Sequence, residues 1–296
     1  MRLALIGVGL VGGSAAAAFR ASGAAQTVVG FDQDAAVAPR ARVLGVIDHA
    51  AASVAEAVNA ADLVLLAVPV GAMPAVLAEV AAHARPDAIV TDVGSTKRSV
   101  IEAARSALAG TPVALSRFVP AHPIAGGELP GVEYASATLF QGKRLITTPL
   151  VDTDPAALAA VESLWRAAGA EVIRMDADEH DRIFAAVSHL PHLLSFALVA
   201  KIAADADGAR KLGFAGAGFR DFTRIAASSP VMWRDVALAN RAALSEELRG
   251  YRAVLERLQR AVDAGDGEQL AALFEVASRT RRGSLPAATT VGDADA

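Results

Sequence analysis

The sequence predicts an α/β N-terminal domain followed by an all-α C-terminal domain. Strand-like and helix-like runs alternate through the first half of the chain, which is typical of a parallel sheet with crossover helices. Strand patterns stop at Met175, and the sequence from Asp176 onward reads as helix. With 296 residues, the chain is long enough for two domains. We therefore place the domains at residues 1–175 and 176–282, and we expect a disordered tail of small and polar residues at 283–296.

The strands of the first domain are predicted from short apolar runs, several of them continuous, as expected when helices cover both faces of a sheet. These runs lie at residues 2–6, 27–31, 62–69, 88–93, 118–120, 144–148 and 171–175. In the second domain, Asp176 with Glu179 three residues later predicts the start of a helix. Pro191 predicts a kink in that helix, because proline lacks a backbone N–H. Helix patterns also lie at 15–20, 155–168, 219–227, 232–261 and 267–279, and one ends near Leu108.

A glycine-rich turn follows the first strand and indicates what this domain binds. Gly7 permits a tight turn, Gly9 lets the backbone approach a pyrophosphate, and Gly12 lets the helix pack closely on the strand. Asp32 closes the second strand, where a carboxylate accepts hydrogen bonds from ribose hydroxyls and repels a 2′-phosphate. We therefore predict a Rossmann-type domain that binds NAD rather than NADP, against the alternative of a glycine-rich turn without a ligand. The predicted cofactor-binding residues are Gly7, Gly9, Leu10, Val11, Gly12, Asp32, Val68, Pro69, Gly94 and Ser95.

Composition excludes several other classes of function. The net charge of −4 gives no reason to expect nucleic acid or an anionic membrane as a partner. The chain has no cysteine, which excludes disulfides, thiolate metal sites and a cysteine nucleophile, and which fits a cytoplasmic protein. Two uncharged stretches, 63–78 and 185–200, are shorter than a bilayer span, so we expect them to be buried elements. The chain starts with a strand, so we expect no signal peptide.

Reactive side chains follow the ends of three predicted strands, where open parallel sheets bind their ligands. The three segments are 69–71, 92–97 and 121–128, and we expect all of them to be loops. His122 is followed by a proline and two glycines, which would aim it into a nicotinamide cleft. There it would accept a hydroxyl proton as hydride leaves the adjoining carbon. The alternative is a histidine that hydrogen-bonds its own turn.

The helical half contains further candidates. His189 and His192 are three residues apart and can share one helix face. A pair of histidines without an evident third ligand is more often structural or substrate-binding than metal-binding, so we predict no metal. Arg220 and Arg224 are one helical turn apart. An arginine here would bind a substrate carboxylate through two hydrogen bonds, unless it pairs with a neighbouring aspartate.

Six segments, taken together and in this order, closely resemble the prephenate/arogenate dehydrogenase family over residues 1 to about 280. The segment Asp-Phe-Thr-Arg-Ile-Ala is the most discriminating, since other dinucleotide enzymes share the glycine turn. The segments lie at residues 7–14, 92–97, 122–126, 188–192, 221–226 and 230–235.

The resemblance implies an NAD-dependent oxidative decarboxylation of prephenate, or of arogenate, in tyrosine biosynthesis, by a homodimer that forms through its helical domain. His122 matches the histidine that takes the proton of the ring hydroxyl, and Ser95 matches a serine that positions this hydroxyl. Arg224 matches the arginine that pairs with a substrate carboxylate. The chain has no chorismate mutase segment or regulatory domain, so we expect a stand-alone dehydrogenase. The residues that match substrate-pocket positions are His189, His192, Glu128 and Trp233.

Two other hypotheses compete with this one. The first is a β-hydroxyacid dehydrogenase or imine reductase, which shares the architecture. Those enzymes place a lysine or another donor on the long interdomain helix, whereas this helix has His189 and His192. The second is a non-catalytic, dinucleotide-sensing module with a helical dimerisation domain. That module would need neither His122 nor Arg224.

Overall fold

A parallel sheet of six strands organises the N-terminal half of the computed structural model, which describes residues 1–111, 113–127 and 129–284. The strand order is β3-β2-β1-β4-β5-β6, and the direction of strand addition reverses between β1 and β4. This order is that of a doubly wound dinucleotide-binding sheet, in which ligands bind beyond the carboxyl ends of the strands at the reversal. The strands are β1 (Arg2–Ile6), β2 (Thr27–Phe31), β3 (His49–Ala50), β4 (Leu63–Leu66), β5 (Ile89–Asp92) and β6 (Phe118–Val119).

Helices cover both faces of this sheet, which explains why its strands are continuously apolar. One core contains Phe19 and Trp165, and the other contains Leu77 and Phe118. The predicted α/β class is confirmed, although the short strand β3 was not predicted. The helices of this half are α1 (Leu10–Ala21), α2 (Val37–Val43), α3 (Val54–Val58), α4 (Met73–His83), α5 (Arg98–Leu108) and α6 (Pro155–Ala167).

A second, three-stranded sheet consists of β7 (Ala121–Pro123), β8 (Arg144–Thr147) and β9 (Glu171–Arg174). The prediction that residues 121–128 form only a loop is therefore wrong at its start. His122 is opposite Ile146 in an antiparallel pair. Such short pairing is hard to predict, because the histidine and proline of β7 are not typical strand residues.

Between Ala177 and Ser284 the structure describes helices joined by short turns and no strand, as predicted. Asp176 caps the first helix by accepting hydrogen bonds from two backbone N–H groups, which confirms that start. The run predicted at 232–261 is two helices that meet at Asn240, and helix α9 was not predicted. These helices are α7 (Ala177–Phe184), α8 (Leu190–Ala203), α9 (Gly208–Gly213), α10 (Ala217–Thr223), α11 (Pro230–Ala239), α12 (Arg241–Ala264) and α13 (Gly267–Ser284).

Helices α7 and α8 are continuous through a π-helical segment, Ala185–His189. Pro191 follows this segment and has no N–H to donate, which interrupts the regular hydrogen-bond pattern of the helix. The π-helical turn, which is wider than an α-helical turn, lies just before this interruption. The run Ala177–Ala203 is long and apolar enough to cross a membrane by length and composition alone. The expectation that 185–200 is buried is wrong for the single chain, because only 22% of the most apolar window in this run is buried.

The chain divides into two compact units, Met1–Leu244 and a second unit that starts at Ser245. Within the second unit, α12 and α13 pack through Leu258, Ala261, Leu270 and Leu273. The domain boundary at residue 175 stays a prediction. Of the predicted disordered tail at 283–296, residues 285–296 lie outside the described residues, and Gly283 and Ser284 end α13.

Candidate active site

The turn between β1 and α1 has the geometry of a phosphate cradle. Gly7 has a φ of 92°, and a Cβ there would lie 2.4 Å from the carbonyl oxygen of Ala67. A Cβ on Gly12 would lie 2.3 Å from the carbonyl oxygen of Gly7, so only glycine allows helix and strand to approach this closely. By contrast, nothing lies within 4 Å of a Cβ placed on Gly9. The backbone therefore has open space at the one glycine that is predicted to face a pyrophosphate.

The N-terminus of α1 is suited to an anion. Gly9 is the N-cap and has no side chain to accept a hydrogen bond, so the first N–H groups of the helix, including those of Leu10 and Val11, are available to a ligand. At the end of β2, Asp32 accepts hydrogen bonds from the N–H of Val8 at 2.8 Å and of Asp34 at 3.0 Å. These two bonds fix the carboxylate beside the turn and use only part of its acceptor capacity.

Val68 and Pro69, which are predicted to bind the cofactor, also border the turn. They follow β4, and Cγ1 of Val68 would be 3.1 Å from a Cβ on Gly7. Gly94 and Ser95 follow β5, the next strand of the sheet, and the N–H of Gly94 donates to Asp92 at 2.8 Å. The predicted cofactor residues therefore all lie at the carboxyl ends of β1, β2, β4 and β5.

His122 lies on β7 and is held by a second histidine that was not predicted to belong to the site. Its Nδ1 is 2.8 Å from Nε2 of His180, on α7. Nδ1 of His180 is in turn 2.8 Å from a carboxylate oxygen of Asp181. Phe184 packs against both rings, with centroid distances of 5.0 Å to His122 and 4.5 Å to His180. The predicted alternative, a histidine bonded to its own turn, does not describe this arrangement.

A buried ion pair fixes the residue that precedes His122. Lys97 and Asp92 are both fully buried, and the ammonium of Lys97 contacts the carboxylate of Asp92. The same ammonium donates to the carbonyl of Ala121 at 2.5 Å, and Asp92 accepts from the N–H of Ala121 at 3.1 Å. Both backbone polar groups of Ala121 are therefore bound to this pair, which fixes the backbone at the start of β7.

His189 and His192, which their spacing predicts to share a helix face, both pack against Trp233. His192 stacks on the indole with a centroid distance of 3.6 Å, and His189 meets it edge-on at 6.1 Å. Asn240 donates to the main-chain carbonyl of Asp181 at 2.7 Å and lies 3.1 Å from Nδ1 of His189. Because the amide N–H donates there, His189 carries its own proton on Nε2.

Two buried donors of this group are available to a ligand. Within the described part of the chain, Nε2 of His189 and Nε1 of Trp233 are buried and have no hydrogen-bond partner. A buried donor without a partner costs about 1–3 kcal/mol, so such atoms are typical of a site that a ligand completes.

All four histidines of the site favour the neutral state. Burial lowers the pKa of His122 well below its ordinary value, and the charges of His180, Lys97 and His189 lower it further. Burial also lowers the pKa of His189 to about 4, against Asp181, whose charge raises it. Burial likewise lowers the pKa of His180, although its hydrogen bond to Asp181 opposes this.

The remaining predicted residues can be placed as follows. Burial lowers the pKa of His192, and the charge of Arg224 adds to this, so the guanidinium lies close to the histidine. The backbone of Ser95 raises the pKa of His189 through a contact that does not meet hydrogen-bond geometry, which puts this serine beside the same group. Glu128 lies outside the described residues. Asp235, one predicted alternative partner of the arginines, pairs with Arg234 at 2.7 Å.

No group of three or more histidine, aspartate or glutamate side chains in residues 1–111, 113–127 and 129–284 is arranged to hold a metal ion. A surface cavity of about 410 Å³ lies elsewhere, between α5 and the start of α7, and includes Arg98, Thr148 and Asp178. None of the predicted site residues lines it.

Sequence reasoning did not identify several residues that organise the site. Lys97 and Asp92 lay inside a segment that was singled out, but nothing showed that both side chains point inward. The sequence did contain a signal for His180 and Asp181. A helix that packs on the protein must bury one face, so some polar residues of the charged start of α7 had to point inward. The residues that were missed are Asp92, Lys97, His180, Asp181 and Asn240.

Comparison with known proteins shows which family the chain resembles along its length. Residues 15–174 match the family model described as prephenate dehydrogenase, nucleotide-binding domain, and residues 176–276 match prephenate dehydrogenase, dimerization domain. The chain is 37% identical to a cyclohexadienyl dehydrogenase of Zymomonas mobilis over 281 residues, which cover 94% of each protein.

Two solved structures extend the comparison. A prephenate dehydrogenase from A. aeolicus, in complex with hydroxyphenyl propionate and NAD+, is 34% identical with a TM-score of 0.86, and the match covers 95% of this chain and 98% of that one. An arogenate dehydrogenase from Synechocystis is 28% identical with a TM-score of 0.77, over 96% of this chain and 100% of that one.

We predict that Lys97→Met lowers the free energy of unfolding by about 3–5 kcal/mol, because it leaves the carboxylate of Asp92 buried without its cation. The double variant Asp92→Asn/Lys97→Met should be less destabilised, since no buried charge remains. Urea unfolding measures both. Arg105→Met, at an exposed position of α5, is the matched control and should change stability by less than about 0.5 kcal/mol. Equal effects of Lys97→Met and Arg105→Met would contradict the role of the pair.

Proposed function

The chain belongs to the prephenate dehydrogenase family of oxidoreductases, and from this we propose that it catalyses the NAD-dependent oxidative decarboxylation of prephenate to 4-hydroxyphenylpyruvate in tyrosine biosynthesis. In this reaction the ring carbon that bears the hydroxyl loses a hydride, and the hydroxyl loses its proton. The ring carboxylate departs as carbon dioxide, and its bonding electrons complete the aromatic ring. The phenolate oxygen then takes a proton back, which gives the hydroxyl of the product. The protein therefore has to orient the ring, bind two carboxylates and accept one proton.

The observation that supports this proposal most directly is the state of His122. Its Nδ1 is engaged by His180, and no hydrogen bond reaches its Nε2 in the described part of the chain. The lowered pKa keeps the ring neutral at neutral pH, so one of its two nitrogens carries a lone pair. A neutral imidazole with one nitrogen engaged and the other available is what proton removal from the ring hydroxyl requires. We assign this general-base role to His122.

The substrate side of the site supplies donors and a cation. Prephenate carries two carboxylates, and burying them without donors or a cation would have a large desolvation cost. We assign the cation to Arg224, and its effect on the pKa of His192 supports this assignment. Nε2 of His189 and Nε1 of Trp233 provide N–H donors to substrate oxygens. We assign the stacked rings of Trp233 and His192 to the pocket wall, and Ser95 to positioning of the ring hydroxyl.

NAD fits the cradle at the carboxyl ends of the strands. The open space at Gly9 and the N–H groups at the start of α1 would hold the pyrophosphate, and Asp32 would accept the ribose hydroxyls. When bound, the nicotinamide supplies the hydride acceptor. The A. aeolicus relative, whose structure contains NAD+, supports this choice of cofactor.

Arogenate is the second candidate substrate. The Synechocystis relative is an arogenate dehydrogenase, and the one from Zymomonas mobilis is a cyclohexadienyl dehydrogenase. Arogenate has an amino group where prephenate has a keto group, while its ring, hydroxyl and ring carboxylate are the same. The roles proposed for His122 and Arg224 therefore hold for either substrate.

We also propose that the protein is a cytoplasmic homodimer that forms through its helical half. The family model that matches residues 176–276 is that of a dimerization domain. Large apolar side chains are exposed there in the single chain, including Val187 at 68%, Leu238 at 64% and Phe214 at 82%. A second copy of the chain would remove such side chains from water. The cytoplasmic location rests on the absence of cysteine.

The proposed activity predicts that the purified protein reduces NAD when prephenate is added, with a higher kcat/KM than for any other pairing of prephenate or arogenate with NAD or NADP. The absorbance of the reduced nicotinamide measures each of the four pairs. A higher kcat/KM with arogenate would identify an arogenate dehydrogenase. No reduction with either substrate would contradict the proposed function.

Replacing Asp32 should change the cofactor preference. Asp32→Ser removes the charge that would repel a 2′-phosphate, so the ratio of kcat/KM for NADP to that for NAD should rise about tenfold or more. Asp34→Ser, two residues away, is the matched control and should leave this ratio unchanged. The assignment of Asp32 to the ribose fails if both variants keep the wild-type ratio.

His122→Asn should lower kcat by about 100-fold or more and change KM little, since it removes the base and leaves the pocket intact. His83→Asn, at an exposed position, is the control and should keep wild-type activity. Because the base works only when neutral and its pKa is lowered, kcat/KM should stay level from about pH 8 to 6.5 and fall at lower pH. An acidic limb centred above about pH 6.5 would contradict this assignment.

A further inference from the structure

We propose that His180 and Asp181 are positioning residues, which hold His122 in the tautomer that has its proton on Nδ1 and the basic lone pair on Nε2. This inference rests on the proposed role of His122 as the base. It assigns a task to two buried residues of α7 that the mechanism has not otherwise used. The three side chains form a chain of hydrogen bonds from Asp181 through His180 to His122.

The direction of these hydrogen bonds is set at Asp181. Burial raises the pKa of this carboxyl, but hydrogen bonds from His180 and from two backbone N–H groups outweigh burial, and the net shift is downward. The N–H donors are those of Lys97 at 2.8 Å and Arg98 at 3.0 Å, at the start of α5. An ionised carboxylate can only accept, so Nδ1 of His180 must donate to it.

The tautomer of His122 follows from that of His180. Burial lowers the pKa of His180, which keeps the ring neutral, so its Nε2 carries a lone pair when its Nδ1 carries the proton. Nδ1 of His122 lies 2.8 Å from this nitrogen and must donate to its lone pair. The proton of a neutral His122 is then on Nδ1, and its Nε2 is free to accept one. The opposite tautomer would place two lone pairs against each other at this distance.

The surroundings keep the two rings in this relation. Phe184 packs on both of them, and Asn240 holds the main-chain carbonyl of Asp181 at 2.7 Å. At the His122 end of these hydrogen bonds, the ion pair of Lys97 and Asp92 fixes the backbone of the preceding residue, Ala121. The charged and titratable groups that act on the two rings are Asp92, Lys97, Asp181 and His189.

The same chain of bonds stabilises the product of proton transfer. When Nε2 of His122 accepts the hydroxyl proton, the ring becomes a cation, and its Nδ1–H bond to His180 becomes charge-assisted. His180 can strengthen this bond because its own Nδ1–H is held by the carboxylate of Asp181. In a serine protease, a carboxylate that fixes a histidine tautomer affects kcat by about 10⁴. We expect a smaller effect here, because a second imidazole separates His122 from the carboxylate.

The first test is the tautomer itself, which is independent of activity. Nitrogen-15 NMR of the full chain with labelled histidine at about pH 7.5 should show His122 and His180 protonated at Nδ1. His189 should be protonated at Nε2, because Asn240 donates to its Nδ1. The exposed His83 serves as an internal reference, and single substitutions assign the signals. A wild-type His122 protonated at Nε2 would overturn the proposal, even in an active enzyme.

The second test is kinetic. His180→Phe keeps a ring beside Phe184 but removes the acceptor, so kcat should fall about 10- to 100-fold while KM changes less than about threefold. The NMR signal of His122 should then lose its Nδ1–H signature. His180→Gln offers an amide oxygen to Nδ1–H of His122 and should restore part of kcat. His83→Gln is the matched control.

The outcomes separate this inference from the proposed function. A wild-type protein that reduces no NAD with either substrate contradicts the function, whereas the NMR experiment still reads the tautomer. If His180→Phe keeps the wild-type kcat, or loses stability without a change in the tautomer of His122, the positioning role is wrong. If His180→Phe does not fold, the wild-type spectrum and the kcat of His180→Gln decide the question. A His180→Gln variant with both an altered tautomer and wild-type kcat would also overturn the proposal.

Discussion

The carboxylate of Asp181 is the interaction on which the geometry of the site depends. It accepts the N–H groups that start α5 on the sheet side and the ring of His180 on the helical side. One buried anion thus connects the strand ends that border the cofactor cradle to the helices that line the substrate pocket. A buried charge of this kind is tolerated only when several donors surround it, so its partners are held in fixed positions. His122 is hydrogen-bonded to His180, so its orientation depends on the same carboxylate.

Much of the fold could be predicted from the sequence because its signals are local. The apolar runs of β1, β2, β4 and β5 and the glycines of the first turn each have a short-range physical reason. The start of α7 at Asp176 has one too, since a cap needs only a side chain and the next N–H groups. Strands β3 and β7 have two and three residues and are stabilised by pairing with distant strands, so no local pattern identifies them.

The site was predicted in part, for the same reason. The predicted site residues lie in segments with a recognisable order of residues. In the structure, His189 and His192 pack against Trp233, and the charge of His189 acts on His122. The residues that position them were missed because their roles depend on burial. Lys97 looks like a solvent-exposed lysine until its ammonium is seen against Asp92 and the carbonyl of Ala121. His180 likewise looks like one member of a charged helix start, Ala177–Phe184.

The wide turn at Ala185–His189 has a consequence for how this helix can change over evolutionary time. Helix α7 carries His180, next to the proposed base, and α8 carries His192, in the proposed substrate pocket. The π-helical segment between them sets the angle about the helix axis that separates the two side chains. Each residue of an α-helix advances the chain by about 100° around the axis. Losing one residue within 185–189 would therefore rotate His192 by roughly a quarter of a revolution relative to His180. Substitutions are compatible with such a segment, but insertions and deletions are not, so we expect its length to vary less than that of the surface loops.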